Sequence, residues 1–233
     1  MAGRYGCRVD DPRTAGEAPW ALQLAVRVER TDPPTVAEAC RAAASATVAL
    51  LDDERARPGG AWHPSVVAWR TARIRKLVRR GRGGEWQRAQ AVPGVTVIDG
   101  AEVRAFVPAP MDAIDPALAK LQIDARAVEL DEPALVDSVT AGRGSLVVAL
   151  TPLVAMSWGK RAAQAAHGAQ LAWEAAAPAQ LARREAVARR VEVVFPTAAA
   201  WPAVEAASLV QVHDGGFTEI PAGTLTAVAW FER

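Results

Sequence analysis

Lys160, Gln164 and His167 stand at i, i+4 and i+7 in an alanine-rich run that opens with Met156, Ser157, Trp158 and Gly159. If a helix starts near Gly159, the three side chains fall on one stripe, separated by residues small enough to let backbone or substrate approach. A lysine in the first turn opposes the positive end of the helix dipole, so its placement calls for a compensating anion. An ammonium at a helix N-terminus suits a phosphate or a developing oxyanion. The alternative is a solvated Lys160, a surface Gln164 and a His167 bonded to a carbonyl.

A second segment runs from Val212 to Thr226. An alternating apolar strand ends in Asp214-Gly215-Gly216, and the chain returns through Thr218 and Ile220 to Gly223, Thr224 and Thr226. The glycines permit positive φ, and an aspartate before glycine most often bonds its own backbone. A carboxylate at a strand end beside Thr218 could equally hold a water, a ribose hydroxyl or an imidazole.

The elements that must position these groups follow from periodicity. Ser145 to Val154 is a nearly continuous apolar run, of the kind buried on both faces of a sheet. Trp158 to Trp173 reads as an Ala-rich helix and Ala179 to Arg190 as a basic one. Strands are expected at Val191 to Phe195, Leu209 to His213 and Thr224 to Phe231, with a short helix at Trp201 to Ala207. Upstream, Trp20 to Glu29 alternates as a half-buried strand, and Thr35 to Leu51 is an Ala-rich helix. Pro64 to Arg80 is a basic helix stopping at Gly81, Gly83 and Gly84. Val95 to Ile98 and Glu102 to Val107 form a hairpin about Asp99-Gly100. Asp112 to Gln122 is a short helix and Ala125 to Leu130 a strand.

The chain has 233 residues, 51% hydrophobic and 23% charged, values of an ordinary globular protein that buries a core. Basic and acidic residues number 27 and 26, so any basic surface is local. Only three of the basic residues are lysine (Lys76, Lys120 and Lys160), and alanine is about a fifth of the chain, so each lysine carries information while Ala-Ala matches carry little. Two cysteines, Cys7 and Cys40, fit neither a disulfide framework nor a metal spacing, and no metal or other cofactor is expected. No apolar stretch is long enough to span a bilayer, and a cytoplasmic protein without membrane association is expected.

The two chemical segments together resemble the type 2 peptidyl-tRNA hydrolase family, whose hallmarks are Met-x-x-Gly-Lys-x-Ala-Ala-Gln-x-x-His-Ala and, near the C-terminus, Asp-Ala-Gly-x-Thr-x-Ile-x-x-Gly-Thr-x-Thr. The resemblance covers roughly residues 146 to 230, with both motifs in the family's order and each after a strand. Phe217 stands where a polar residue is usual, and Glu219 where Gln is common. The resemblance implies an α/β fold, a small mixed β-sheet flanked by helices. It also implies hydrolysis of the ester joining a peptide to the 3′ ribose of tRNA. Carried over by position, the catalytic residues are Lys160, Gln164, His167, Asp214 and Thr218, with Gly159, Thr224 and Thr226 on the substrate side. Asp214 and His167 would orient or deprotonate water, Lys160 and Gln164 would meet the oxyanion or terminal phosphate, and Thr218 would bond the carboxylate or ribose. A non-catalytic RNA- or protein-binding module on the same fold is the alternative.

The element order recurs along the chain, which suggests two such units in tandem. A mobile leader covers residues 1–19, a degenerate non-catalytic repeat 20–132, a linker 133–144 and the hydrolase-like domain 145–233. The closest local echo sets Ala105-Phe106-Val107-Pro108 and Asp115-Pro116 against Val193-Val194-Phe195-Pro196 and Trp201-Pro202. Where the second half has Gly-Lys, Gln and His, the first has Val36 to Ala43 and none of these. It offers instead eight cations from Arg70 to Arg88, flanked by Trp69 and Trp86. These make a phosphate track with stacking tryptophans, and Arg75, Arg79 and Arg82 are expected to contact tRNA. A solvated amphipathic helix with core tryptophans is the other reading. A monomer with internal pseudo-twofold symmetry is expected, with a homodimer as the alternative.

Overall fold

A computed structural model describes residues 18–72, 75–123, 128–176, 190–216 and 219–232. The leader, apart from residues 18 and 19, and the expected helix from Ala179 lie outside these residues, as do Phe217 and Thr218. The chain forms two mixed β-sheets with helices. The first contains β1 (Trp20–Arg27), β2 (Lys76–Gly81), β3 (Gly94–Asp99), β4 (Ala101–Phe106) and the short β5 (Ala109–Pro110). Its helices are α1 (Val36–Asp52), α2 (His63–Thr71), α3 (Gly83–Ala89) and α4 (Pro116–Ala119). The second contains β6 (Leu146–Leu150), β7 (Val191–Val194), β8 (Val210–His213) and β9 (Leu225–Phe231), with α5 (Trp158–Ala175) and α6 (Trp201–Ala206).

The strand orders are β2-β1-β4-β3 and β7-β6-β9-β8, with β5 added to β1. Directions match as well as order. β1 and β6 each pair in parallel with the strand after their helix, and each pairs antiparallel with the last strand of its hairpin. This equivalence pairs β2 with β7 and β4 with β9. The local echo noted in the sequence set β4 beside β7 and is therefore out of register with the topology.

α1 packs on β4 and β3 of its own sheet and reaches β7 of the other, while α5 packs on β6, β9 and β8 and reaches β2. The two helices lie against each other as a central layer between the sheets. That explains their alanines, because a helix covered on opposite sides must be thin where it meets its neighbours. Leu22, Leu24, Val26 and Val103 of the first sheet, Ala39, Ala43 and Ala46 of α1, Ala162, Ala166 and Ala169 of α5, and Val148 and Ala229 of the second sheet belong to one buried cluster. Polar ties cross the layer. Arg70 Nε bonds Glu174 Oε1 at 2.7 Å, the Trp158 indole donates to the Val128 carbonyl at 3.0 Å, and Arg161 meets Glu132. The buried Cys40 thiol lies in this layer, and burial pushes its pKa up.

Several expectations are corrected. β1 is buried on both faces, because α3 and α4 cover the outer side through Trp86, Ala89 and Leu118 against Ala25 and Phe106. α6 covers the outer side of the second sheet, where Trp201 and Val204 meet Ala149 and Val228. The basic helix of Pro64 to Arg80 is instead α2, started by Pro64 in its first turn, followed by the strand β2. Pairing with β1 along Leu22 to Arg27 decides this, since a buried strand must satisfy the backbone groups of its edge. Of the glycines expected to end that helix, Gly81 ends β2, and Gly83 and Gly84 begin α3. The helix expected over Asp112 to Gln122 is reduced to α4, capped by Asp115. Val128 to Leu130, the described end of the expected strand, is not strand. The linker is tied down at several points: Val136 N donates to Phe195 O and Thr197 N to Val136 O, each at 2.9 Å, Thr197 Oγ1 donates to Asp137 Oδ1 at 2.9 Å, Gly142 N to Glu192 Oε1 at 3.0 Å, and Gly144 N to Glu232 O at 2.9 Å.

Candidate active site

β6 delivers the chain through Thr151 and Pro152 to Ser157, the N-cap of α5, whose hydroxyl accepts from Lys160 N at 3.3 Å. Ser157 also donates from its amide and its hydroxyl to Glu219 Oε1, at 3.0 and 2.9 Å. Glu219, placed where the resembled family has Gln, thus brings a carboxylate to the positive end of α5, where the dipole favours it. Gly159 is buried in the first turn.

Asp214 supplies the compensating anion for Lys160. It follows β8, and its backbone closes a hairpin neck with Thr224 O at 2.9 Å and Gly223 N at 2.8 Å. Its Oδ1 accepts from Gly216 N at 2.8 Å, the turn expected of Asp-Gly-Gly. Gly216 has φ +74°, and a Cβ there would lie 2.7 Å from that of Ala222, so both conformation and space require glycine. Asp214 Oδ2 accepts from Gln164 Nε2 at 2.7 Å and pairs with Lys160 Nζ. The carboxylate is 5% exposed and the lysine side chain 14%. Gln164 Oε1 is buried and has no hydrogen-bond partner among the described residues.

The structure therefore joins Lys160, Gln164 and Asp214, and leaves His167 apart from the carboxylate. His167 lies farther along the same stripe of α5, partly buried, and its ring has no hydrogen bond among the described residues. Burial first, and then the positive charges of Lys76 and Lys160, hold its pKa well below the usual 6.5. It is a neutral imidazole at pH 7, able to accept a proton. Thr226 Oγ1 donates to Val212 O at 3.1 Å and Thr224 Oγ1 to Pro221 O at 2.8 Å, so both hydroxyls hold the hairpin. Thr218 lies outside the described residues.

The expected phosphate contacts separate. Arg79 is 3% exposed, on the covered face of β2, donating to Gln23 Oε1 and at 2.9 Å to Leu121 O. It is an internal strut and not a phosphate ligand. Arg75 is half-buried just before β2, where its carbonyl accepts from Leu22 N and the Trp69 indole. Arg82 is exposed at the N-cap of α3. Trp69 and Trp86 are 0% and 3% exposed and belong to the core, so they offer no stacking surface.

One group near the site went unread in the sequence. Lys76, at the start of β2, donates to Gln170 of α5 and lies 5.0 Å from the Trp69 ring centroid. Burial pushes its pKa down to about 7, against the opposing pull of Glu174. It brings a group from the first unit to the flank of His167. The rarity of lysine was the available signal.

Compared with protein-family models, curated proteins and solved structures, the chain gives no match. Among the described residues no helix is long and apolar enough to cross a membrane, and no cluster of His, Cys, Asp and Glu could hold a metal ion.

Proposed function

We propose that the chain hydrolyses the ester linking a peptide's C-terminus to the 3′ ribose of tRNA, as its two motifs imply by resemblance. The observation that carries this reading is the buried Lys160–Asp214–Gln164 cluster at the positive end of α5, with a neutral His167 on the same stripe. An aminoacyl ester is already labile, so catalysis needs mainly a positioned water and a stabilised oxyanion. Lys160 and the first turn of α5 supply positive potential for the oxyanion. Asp214 acts as a positioning residue that holds Lys160 and Gln164. Gln164 Oε1, without a donor among the described residues, is the acceptor this reading assigns to the attacking water or a substrate N–H or O–H. Water attacks the ester carbonyl as His167 takes its proton. Collapse of the tetrahedral intermediate returns that proton to the departing ribose 3′-oxygen, giving free tRNA and a peptide carboxylic acid that loses its remaining proton to solvent.

The first unit, on this reading, is a diverged copy without its own site, and the chain is a pseudo-twofold monomer with one centre. The test is release of N-acetylated amino acid from N-acetylaminoacyl-tRNA by the purified chain. No turnover, with tRNA binding retained, favours the second reading, a non-catalytic RNA-binding module. Its supporting observation is that Asp214 already accepts from Lys160, Gln164 and Gly216, with little exposure left for water.

A further inference from the structure

Beside the first sheet, an open groove of about 620 Å³ runs between the segment after β1 and the start of α3. Arg30, Arg80, Arg82 and Arg88 line it, with the backbone of Gly83 and Gly84 exposed between them. We infer that this groove is a phosphodiester-binding site that holds the body of the tRNA. The choice of tRNA rests on the hydrolase proposal; the preference for phosphodiester rests on the groove.

The acids in the groove do not neutralise it. Glu29 is occupied, accepting from Gly83 N at 3.1 Å and Arg27 Nε at 3.0 Å. Glu85 lines the groove together with four arginines. Among the described residues the guanidinium groups of Arg30, Arg82 and Arg88 make no hydrogen bond or salt bridge, and all three residues are exposed; the Arg82 charge reaches only as far as helping to hold the Glu29 pKa down. Arg80 is held by Gln122, and among the described residues its Nε has no acceptor. A turn of this side chain toward the groove would bring that N–H to a phosphate oxygen. Guanidinium forks match phosphate oxygens in a way that ammonium groups do not.

The arginines come from two chain segments, Arg30 after β1 and Arg80, Arg82 and Arg88 from β2 through α3, and four guanidinium groups exceed what one phosphate engages, which suits successive phosphates better than a single anion. Trp86, the aromatic residue of α3, faces the core and not the groove, so recognition there is of the backbone and independent of sequence. Such binding is strongly salt-dependent.

The test uses the full chain and deacylated tRNA, with fluorescence anisotropy from 50 to 200 mM salt. The variant Arg30→Ala/Arg82→Ala/Arg88→Ala removes groups that hold nothing in the fold. It should lower the slope of log K against log salt by about 2 to 3 and weaken binding about 50- to 150-fold at 0.15 M salt. The corresponding triple Lys variant should keep most of the slope. An unchanged slope in the Ala variant overturns the proposal, as does wild-type binding to polyglutamate as tight as to tRNA. If the wild type turns nothing over but the Ala variant loses salt-dependent binding, the hydrolase reading fails and the groove stands. If the wild type hydrolyses its substrate and the Ala variant keeps both KM and slope, the groove fails alone.

Discussion

Asp214→Asn tests the central cluster, because it keeps the shape of the side chain while removing its charge. Asn Oδ1 can still accept from Gly216 N, but its amide then points a donor at two donors, Lys160 Nζ and Gln164 Nε2. Lys160 is left with 14% exposure and without its carboxylate. A lost charge-assisted bond is worth about 1.5–3 kcal/mol and an unsatisfied buried amide about 1–3, so the expected loss is about 3–5 kcal/mol. Against a total stability on the order of 5–15 kcal/mol this is large. Urea unfolding at pH 7, followed by circular dichroism and tryptophan fluorescence, measures it. Lys160→Met removes the stranded charge while filling the stem's volume. The double variant Asp214→Asn/Lys160→Met should therefore recover much of the loss, with a coupling of at least about 2 kcal/mol. It should nevertheless be inactive, which separates stability from catalysis. A single variant within about 1 kcal/mol of wild type, or additive losses in the double, would refute the reasoning.

His167→Gln should abolish most turnover with little change in tRNA affinity, and the wild-type rate should rise with pH through an inflection below 6.5 and stay flat across neutrality. An inflection above 7 would remove His167 as the base. The same depressed pKa makes the unfolded chain bind the extra proton first, so His167 costs stability as pH falls below 6.5 and contributes none of this dependence above it. Lys76→Met should flatten the rise in stability above pH 7. The folded lysine loses its proton near 7 and the unfolded one near 10.5, a rise of at most about 1.4 kcal/mol per pH unit that is reduced by partial exposure. Parallel pH curves for the two proteins would count against it. Gly168→Ala gains about 1 kcal/mol of helix propensity, but its Cβ would lie 2.9 Å from Val148 Cγ1, where overpacking costs about 1–3. Tm should fall by a few degrees and recover in combination with Val148→Ala.

The sequence shows its local logic clearly where one element suffices. Thr35 and Glu38 form a capping box that starts α1, Asp99-Gly100 turns the first hairpin, and Ser157 caps α5 where the stripe of polar residues begins. It misleads where a distant partner decides. Leu77 and Val78 stand three and four residues after Ile74, a helical spacing, and only the parallel pairing with β1 makes their segment a strand. Gln23 alternates like a solvent-facing residue, yet Arg79 and the cover of α4 bury it. Of the site, Lys160, Gln164 and Asp214 were legible from spacing and order. The approach of Lys76 was not, since it depends on how two units of the chain pack.

Placing the helix N-caps in correspondence, Thr35 with Ser157, separates what the fold needs from what chemistry needs. Glu38 then stands for Lys160, Ala42 for Gln164 and Ser45 for His167. The hairpin carboxylates correspond too: Asp99 at the end of β3 meets Arg41 Nε at 2.9 Å and Ser45 Oγ at 3.4 Å, as Asp214 after β8 meets Lys160 and Gln164. A carboxylate that ties hairpin to helix is thus a feature of both units and by itself indicates architecture. Glu38 also satisfies its own N-terminus, accepting from Thr35 N at 2.8 Å, an arrangement in accord with the helix dipole. Three features of the second unit have no structural counterpart in that comparison: a cation in the first turn where the dipole opposes it, a buried amide oxygen with no donor among the described residues, and a neutral imidazole. None of these improves the fold, so selection for folding alone gives no reason for them. The case for chemistry therefore rests on Lys160, Gln164 and His167, with Asp214 as the architectural tie that holds two of them.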